Sequence, residues 1–203
     1  MITDSFQTAR ENMAYDESLL ANLEPSQRLY RVYKWQHPGI TYSYKQPLPA
    51  ALVSFDSAKR FTGGGIVFHC PGDIVLTAIG WLDDPLFKGK LKDKVLTIQQ
   101  AIKQALHTIG VEATSKQPST TPNLDYCQTY DSPYELVINN EKHVALTLRR
   151  NRSAFMIQAI IHLTATQTAF ELPEAFHPYQ INQSLPIYAD DLIRQVSAIL
   201  HSI

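Results

Sequence analysis

Charge is scarce in this 203-residue sequence: charged residues make up 18%, with 18 Lys plus Arg set against 19 Asp plus Glu. So even a balance gives no global field to attract nucleic acid or an anionic membrane, and neither is expected as a partner. No apolar run reaches the roughly 18 residues of a membrane span. The opening residues are polar and acidic and lack the basic-then-apolar profile of a secretory leader, so a cytoplasmic protein is expected. Only two cysteines occur, Cys70 and Cys127, in dissimilar surroundings, which reads as two thiols and not a disulfide. Repeats and low-complexity stretches are absent, and the 12 prolines are scattered instead of forming a linker. Apolar residues at 44% suffice for a sizeable core, and the length fits one domain over residues 1–203.

Glycine is also sparse, 8 in all, yet three stand in a row in the stretch Arg60-Phe61-Thr62-Gly63-Gly64-Gly65-Ile66-Val67-Phe68-His69. Consecutive glycines pack nothing and cost backbone entropy, so their use is to let a backbone come close to something, with amides free to hold it. The basic pair Lys59-Arg60 enters the stretch and an apolar alternation from Ile74 leaves it. That reads as strand, glycine loop and strand, unlike the strand–loop–helix of a nucleotide fingerprint. The chemistry suits an elongated ligand bearing a carboxylate or phosphate; the alternative is a tight connection with no ligand.

Residues 12–23 read as a helix capped by Asn12, with Met13, Leu19, Leu20 and Leu23 on one side. Residues 29–35 alternate as a strand, with Leu29, Arg31, Tyr33 and Trp35 on one face. Residues 40–44 form a second strand and 51–55 a brief element. Residues 73–81 make the most apolar strand, and 93–109 the clearest helix, stopped by Gly110. Residues 113–125 carry no periodicity and read as a loop bordering a site. A hairpin spans 134–138 and 143–148 around Asn139 and Asn140, followed by a strand over 154–163 and a short helix over 190–200. Seven or eight strands, three helices and antiparallel hairpins give an α+β fold, a mixed, largely antiparallel sheet packed with helices.

On these motifs the chain resembles the lipoate–protein ligase and octanoyltransferase family, which shares its catalytic domain with biotin–protein ligases and is related to class II aminoacyl-tRNA synthetases. The resemblance runs over about residues 12–163. Asn12-Met13-Ala14-Tyr15-Asp16-Glu17 is similar to the family's helix opening, and Tyr33-Lys34-Trp35 with residues 38–46 to its second motif. Arg60, Thr62, Gly63, Gly64, Gly65 and His69 match the loop lining the acyl and adenylate pocket. Cys127 followed by Ser132-Pro133-Tyr134-Glu135-Leu136 resembles the cysteine segment of thioester-forming octanoyltransferases, and Lys142 falls on the family lysine. Three departures stand out. Ala145, Leu146 and Thr147 replace a Gly-Ser-Ala segment, Gln158, Ala159 and Ile160 replace Gln-His-Gly, and Ser43 replaces a glycine. The replacements put bulk where acyl or adenylate contacts are expected. The chain also stops too soon for the separate C-terminal accessory domain of full ligases.

The resemblance implies transfer of an octanoyl or lipoyl group to a lysine of a lipoyl carrier domain or a glycine-cleavage H-like protein. In one form Cys127 carries a thioester and no cofactor is needed; an acyl carrier protein is then the donor. In the other, ATP and Mg²⁺ activate lipoate as an adenylate and Lys142 serves without the cysteine. A third alternative is a non-catalytic member that binds an acyl ligand or a carrier. Cys127 and Lys142 are the catalytic candidates, with Lys142 stabilising developing negative charge. Arg60 with the glycine amides is the anchor for a phosphate or carbonyl. Cys70 is set aside as nucleophile although it adjoins His69, because neighbours on a strand point to opposite faces. Lys59, Arg149 and Arg150 read as solvated, the Arg pair also as a contact for an acidic carrier. A monomer is expected.

Overall fold

In the computed structural model, residues 1–87, 89–115, 126–129 and 132–202 are described. The helices are α1 (Ala9–Ala21), α2 (Leu91–Thr108) and α3 (Ala189–Ser202). The strands are β1 (Leu29–Lys34), β2 (Gly39–Tyr42), β3 (Ser57–Lys59), β4 (Val67–His69), β5 (Ile74–Trp81), β6 (Thr114–Ser115), β7 (Leu136–Ile138), β8 (Glu141–Arg150) and β9 (Ala154–Ile161). Six strands form an antiparallel sheet in the order β1-β5-β9-β8-β7-β6. The other three form a small sheet, β3-β2-β4, in which β2 runs parallel to β3 and antiparallel to β4. The mixed α+β architecture is the one the sequence leads to. Among the described residues, no helix is long and apolar enough to cross a membrane.

The large sheet is buried on both faces, which explains why its central strands read as nearly continuous apolar runs. Ile74, Leu76 and Ala78 of β5 and Phe155, Ile157, Ala159 and Ile161 of β9 face α2 and α3. The alternate residues Val75 and Ile160 face α1 and the small sheet, packing with Met13, Tyr33, Trp35, Val67 and Ala145. The functional elements gather on that second side and along the outer edge of β8.

Asn12 does not cap α1. Thr8 does: its Oγ1 accepts from the Glu11 N–H at 3.1 Å while the Glu11 carboxylate accepts from the Thr8 N–H at 3.0 Å. Asn12 lies buried one turn in, where its side chain bonds both backbone groups of Phe6 and accepts from Arg31 Nη2 at 2.6 Å. Arg31 in turn donates to Asp16 Oδ1 at 2.7 Å, and Asp16 Oδ2 accepts from Thr77 and Gln158. Burial pushes the Asp16 carboxyl up, against the pull of Arg31. This fully buried group ties α1 to β1, β5 and β9.

Helix α2 begins two residues before the expected position because Asp93 accepts the Lys90 N–H at 2.7 Å. It ends as expected at Gly110, whose φ is +82°. Asn139 and Asn140 take positive φ angles of 50° and 66°, the pair a two-residue hairpin of the twisted kind needs. Of the expected loop 113–125, Thr114 and Ser115 pair with β7 as a short strand; positions 116–125 lie outside the described residues. The region broken up by Pro173 and Pro178 forms the 3-10 turn Glu174–Tyr179. Arg149 is not a solvated side chain: it stacks over Tyr44 and Phe61 and donates to the Phe61 carbonyl at 2.9 Å.

Candidate active site

The glycine loop joins β3 to β4, and Arg60 organises it from beneath. Its Nη2 donates to the carbonyls of Gly63 at 3.0 Å and Gly65 at 2.6 Å, and its Nη1 to Thr41 Oγ1 at 2.7 Å. The guanidinium is buried, and burial draws its pKa down to about 10, which leaves it charged at neutral pH. Thr62 is buried and donates to Gln158 Oε1 at 2.6 Å. The reason for the third glycine is close approach. A Cβ on Gly65 would lie 2.5 Å from the Tyr126 carbonyl carbon and 2.7 Å from the Cys127 nitrogen. That clearance lets the Cys127 segment lie against the loop, with Ile66 bridging Tyr126 and the Cys127 N–H donating to the Ile66 carbonyl at 2.9 Å.

Tyr126 holds the segment from its other side by stacking on Tyr179, centroids 3.8 Å apart and planes within 3°. Lys142, in the second position of β8, is buried, with Nζ donating to the Cys127 carbonyl at 2.6 Å and lying 3.1 Å from Glu135 Oε2. The hairpin lysine and the cysteine segment are therefore directly bonded. Burial pushes the Cys127 thiol up; Lys142 pulls it down and Glu135 adds to the rise. Cys70, fully buried in a separate apolar cluster, is likewise raised by burial.

His69 stacks on Trp35 at 4.1 Å between centroids. Its Nε2 lies 2.7 Å from Thr41 Oγ1. In the tautomer whose Nε2 accepts the Thr41 hydroxyl hydrogen, the ring proton resides on Nδ1. Burial, with His162 and Arg60 nearby, holds His69 well below the ordinary imidazole range, so it is neutral. Two buried donors then stand without a partner, His69 Nδ1 and Arg60 Nε.

Both residues line a cavity of about 390 Å³ together with Gly64, Gly65 and Cys127. Its apolar wall comes from Met13, Val67, Val75, Ala145 and Ile160, and Gln158 and Glu135 also border it. All four of Ala145, Leu146, Thr147 and Leu148 line it. Side chains alternate across a strand, so the cavity wraps the outer edge of β8 beyond its pairing with β7, which ends at Val144. It continues to Val95 and Lys92 at the start of α2. Of the residues singled out in the sequence, Arg60, Gly64, Gly65, His69 and Cys127 meet in this cavity; Thr62, Gly63 and Lys142 stand behind its wall. Glu135 and Gln158 received no role in the sequence reading, although both lie inside strings it singled out.

The catalytic domain of lipoyl protein ligases A and B matches residues 8–182. The chain belongs to the lipoyl protein ligase A/B catalytic domain family. No curated protein matches it in sequence. Among solved structures, Ta0514 of T. acidophilum with bound lipoic acid has a TM-score of 0.75 at 16% identity, covering 99% of this chain and 84% of that one. Lipoate-protein ligase A bound with ATP has a TM-score of 0.73 at 16% identity over the same shares. The bi-partite lipoate protein ligase of Thermoplasma acidophilum, described with its E2 lipoyl domain, reaches 0.69 at 19% identity, covering 98% and 82%. At such identities the likeness establishes the fold of the domain. The departures at Ala145 and Ile160 form one wall of the cavity without closing it.

Proposed function

We propose that this domain transfers an octanoyl or lipoyl group to a lysine of a lipoyl carrier domain through a thioester on Cys127. The observation that carries this reading is that Cys127 borders the apolar cavity shared with the glycine loop while Lys142 holds the cysteine's own carbonyl. The acyl chain lies against Met13, Val67, Val75, Ala145 and Ile160. Its carbonyl meets the two unpartnered donors, Arg60 Nε and His69 Nδ1, which stabilise the oxyanion formed on attack. Lys142 acts from behind the wall. It fixes the cysteine segment and its charge favours the thiolate, which burial alone opposes. No cofactor enters this reaction; the donor is an acyl carrier protein, and the acceptor amine of a lipoyl domain or H-like carrier attacks the Cys127 thioester.

A second reading rests on the same two donors. Arg60 Nε and His69 Nδ1 also suit the phosphoryl oxygens of an acyl-adenylate made from ATP, Mg²⁺ and lipoate, with Cys127 a bystander. Incubation with octanoyl-carrier protein followed by intact mass measurement separates the two. An octanoyl adduct that disappears in Cys127→Ala supports the transferase, and ATP-dependent carrier modification that persists in that variant selects the ligase. Neither adduct nor carrier modification, with or without ATP, leaves a non-catalytic domain that binds an acyl ligand or carrier.

A further inference from the structure

The chain is nearly neutral, with a formal net charge of −1, yet cations collect beside the glycine loop. Arg149 lies with its guanidinium carbon 3.8 Å from the centroid of Tyr44 and 4.3 Å from that of Phe61. Lys45 Nζ is 5.5 Å from the same Tyr44 ring, and Lys59, two residues before Phe61, has Nζ 5.9 Å from the Tyr42 ring. Arg150 and Arg152 follow Arg149 directly in the chain. Lys45, Lys59, Arg150 and Arg152 are exposed. Among the described residues, none of these cations is paired with a carboxylate. Strand β8 connects this patch to the site. Ala145, Thr147 and Arg149 share one of its faces at steps of about 7 Å. Cys127 packs against the cluster that holds Ala145, and Thr147 Oγ1 stands within 3.8 Å of where a Cβ on Gly63 or Gly64 would be. The patch therefore begins about 14 Å along the strand from the cysteine's neighbour.

We propose that this patch is the docking surface for the acceptor, a carrier domain that is acidic around its lysine. The inference rests on the acyl transfer to a carrier lysine proposed above. A protein interface of standard size covers about 800 Å² of each partner, a disc roughly 30 Å across. A carrier centred on the mouth of the cavity therefore reaches the patch while its lysine enters. Charge flanks the opening on both sides of β8. Arg150 points to the face opposite Arg149, and on that side exposed Lys92 lines the α2 end of the cavity. The aromatic rings hold Arg149 in place, so its charge is fixed before a partner arrives. Tyr44 and Phe61 each give a face to Arg149 instead of leaving it to a base, which favours an acidic protein over single-stranded nucleic acid. Cations at the rim act on encounter and orientation, and the chemistry stays with the groups inside.

The test measures binding and needs no acyl transfer. The probe is an unlipoylated E2 lipoyl domain of net negative charge, labelled for fluorescence anisotropy and titrated at about 20 mM and about 500 mM salt. Wild type is expected to bind about tenfold or more tightly at the lower salt. Lys59→Glu and Arg150→Glu should each weaken that binding by about three- to tenfold, and together with Lys45→Glu by about a hundredfold. The differences should vanish at high salt. Lys103→Glu makes the same change of charge within α2 and should bind like wild type. Melting is followed in parallel, and where a Glu variant does not fold the Gln variant takes its place. Binding that is absent, indifferent to salt, or weakened no more by Lys59→Glu and Arg150→Glu than by Lys103→Glu overturns the inference. So does tighter binding of a single-stranded oligonucleotide, or of vesicles of equal parts phosphatidylcholine and phosphatidylglycerol. Octanoyl-pantetheine, a small donor with no carrier, tests the thioester reading separately. A Cys127 adduct beside patch-independent carrier binding sinks the docking surface and leaves the transferase standing. Patch-dependent binding with neither adduct nor carrier modification does the reverse.

Discussion

Replacing Gly65 by alanine tests the geometry on which the site depends. The added Cβ would lie 2.5 Å from the Tyr126 carbonyl carbon and 2.7 Å from the Cys127 nitrogen, whereas non-bonded carbons settle at about 3.5–4.0 Å. Both obstacles are backbone, so no side chain can swing aside; the cysteine segment has to withdraw by about 1 Å. Withdrawal breaks the Cys127 N–H bond to the Ile66 carbonyl and loosens the Tyr126–Tyr179 stack. One lost hydrogen bond and the overpacking strain together amount to about 2–4 kcal/mol. For a domain of this length that is a fall in Tm of roughly 5–15 °C. Moving a nucleophile by that distance costs about a hundredfold in rate. The assay is single-turnover formation of the octanoyl adduct, with Tm measured in parallel. Gly63→Ala is the control, since its Cβ would meet only Thr147 Oγ1, at 3.8 Å, and both readouts should stay near wild type. Gly64→Ala falls between, because φ at that position is +87° and an L-residue there is strained by about 1 kcal/mol or more. A Gly65→Ala protein as stable and as readily acylated as the wild type would refute the close-approach argument.

Lys142→Met leaves the Glu135 carboxylate buried beside an apolar chain and is expected to cost about 3–5 kcal/mol, read as a lower urea midpoint. Combining it with Glu135→Leu should recover most of that loss; a double variant no better than the single one counts against the pairing. His69 and His143 are both held below the ordinary imidazole range by burial. A folded pKa below the unfolded one leaves stability intact above about pH 6.5 and removes it as pH falls, by up to about 1.4 kcal/mol per unit for each ring. Urea midpoints from pH 7.5 down to 5 should therefore decline, with a shallower slope in His69→Asn. Gln158→Leu removes the link between Thr62 and Asp16 and should lower stability by about 1–3 kcal/mol.

The fold was legible because its signals are local and consistent. Alternation marks β1 and β8, the apolar stripe and Gly110 mark α2, and the Asn139-Asn140 pair marks the hairpin. The error at Asn12 has a physical cause. A short polar side chain before an apolar run suits a cap, but here tertiary partners, Phe6 and Arg31, claim it and Thr8 supplies the cap. Arg149 misled in the same way, since two aromatic rings distant in sequence accept it. In the site, the glycine stretch announced itself by composition. Its partners did not, because the approach of Gly65 to Tyr126 joins segments about 60 residues apart and no pattern in either foretells the other. Glu135 had no local signal either; its chemistry comes from Lys142 set against it.

The replacements at Ala145, Leu146, Ala159 and Ile160 looked from sequence like bulk dropped into a ligand channel. Their consequence depends on which side of the sheet each falls. Ala145 and Ile160 are paired across β8 and β9 and face α1 and the small sheet, where they join Met13 and Val75 as an apolar wall. Ala159 belongs to the cluster under α2 and α3, and Leu146 packs against it. All four border the cavity, on both sides of the strand, and none of them closes it. Because β7 pairs with β8 only as far as Val144, the cavity passes around the strand's edge and keeps its volume. The replacements exchange a polar, glycine-lined surface for an apolar one, which suits an acyl chain and offers less to a nucleotide. On the reading proposed above, this suits acyl transfer through Cys127 better than an adenylate route, and a channel that bound ATP with Ala145 and Ile160 in place would reverse that preference.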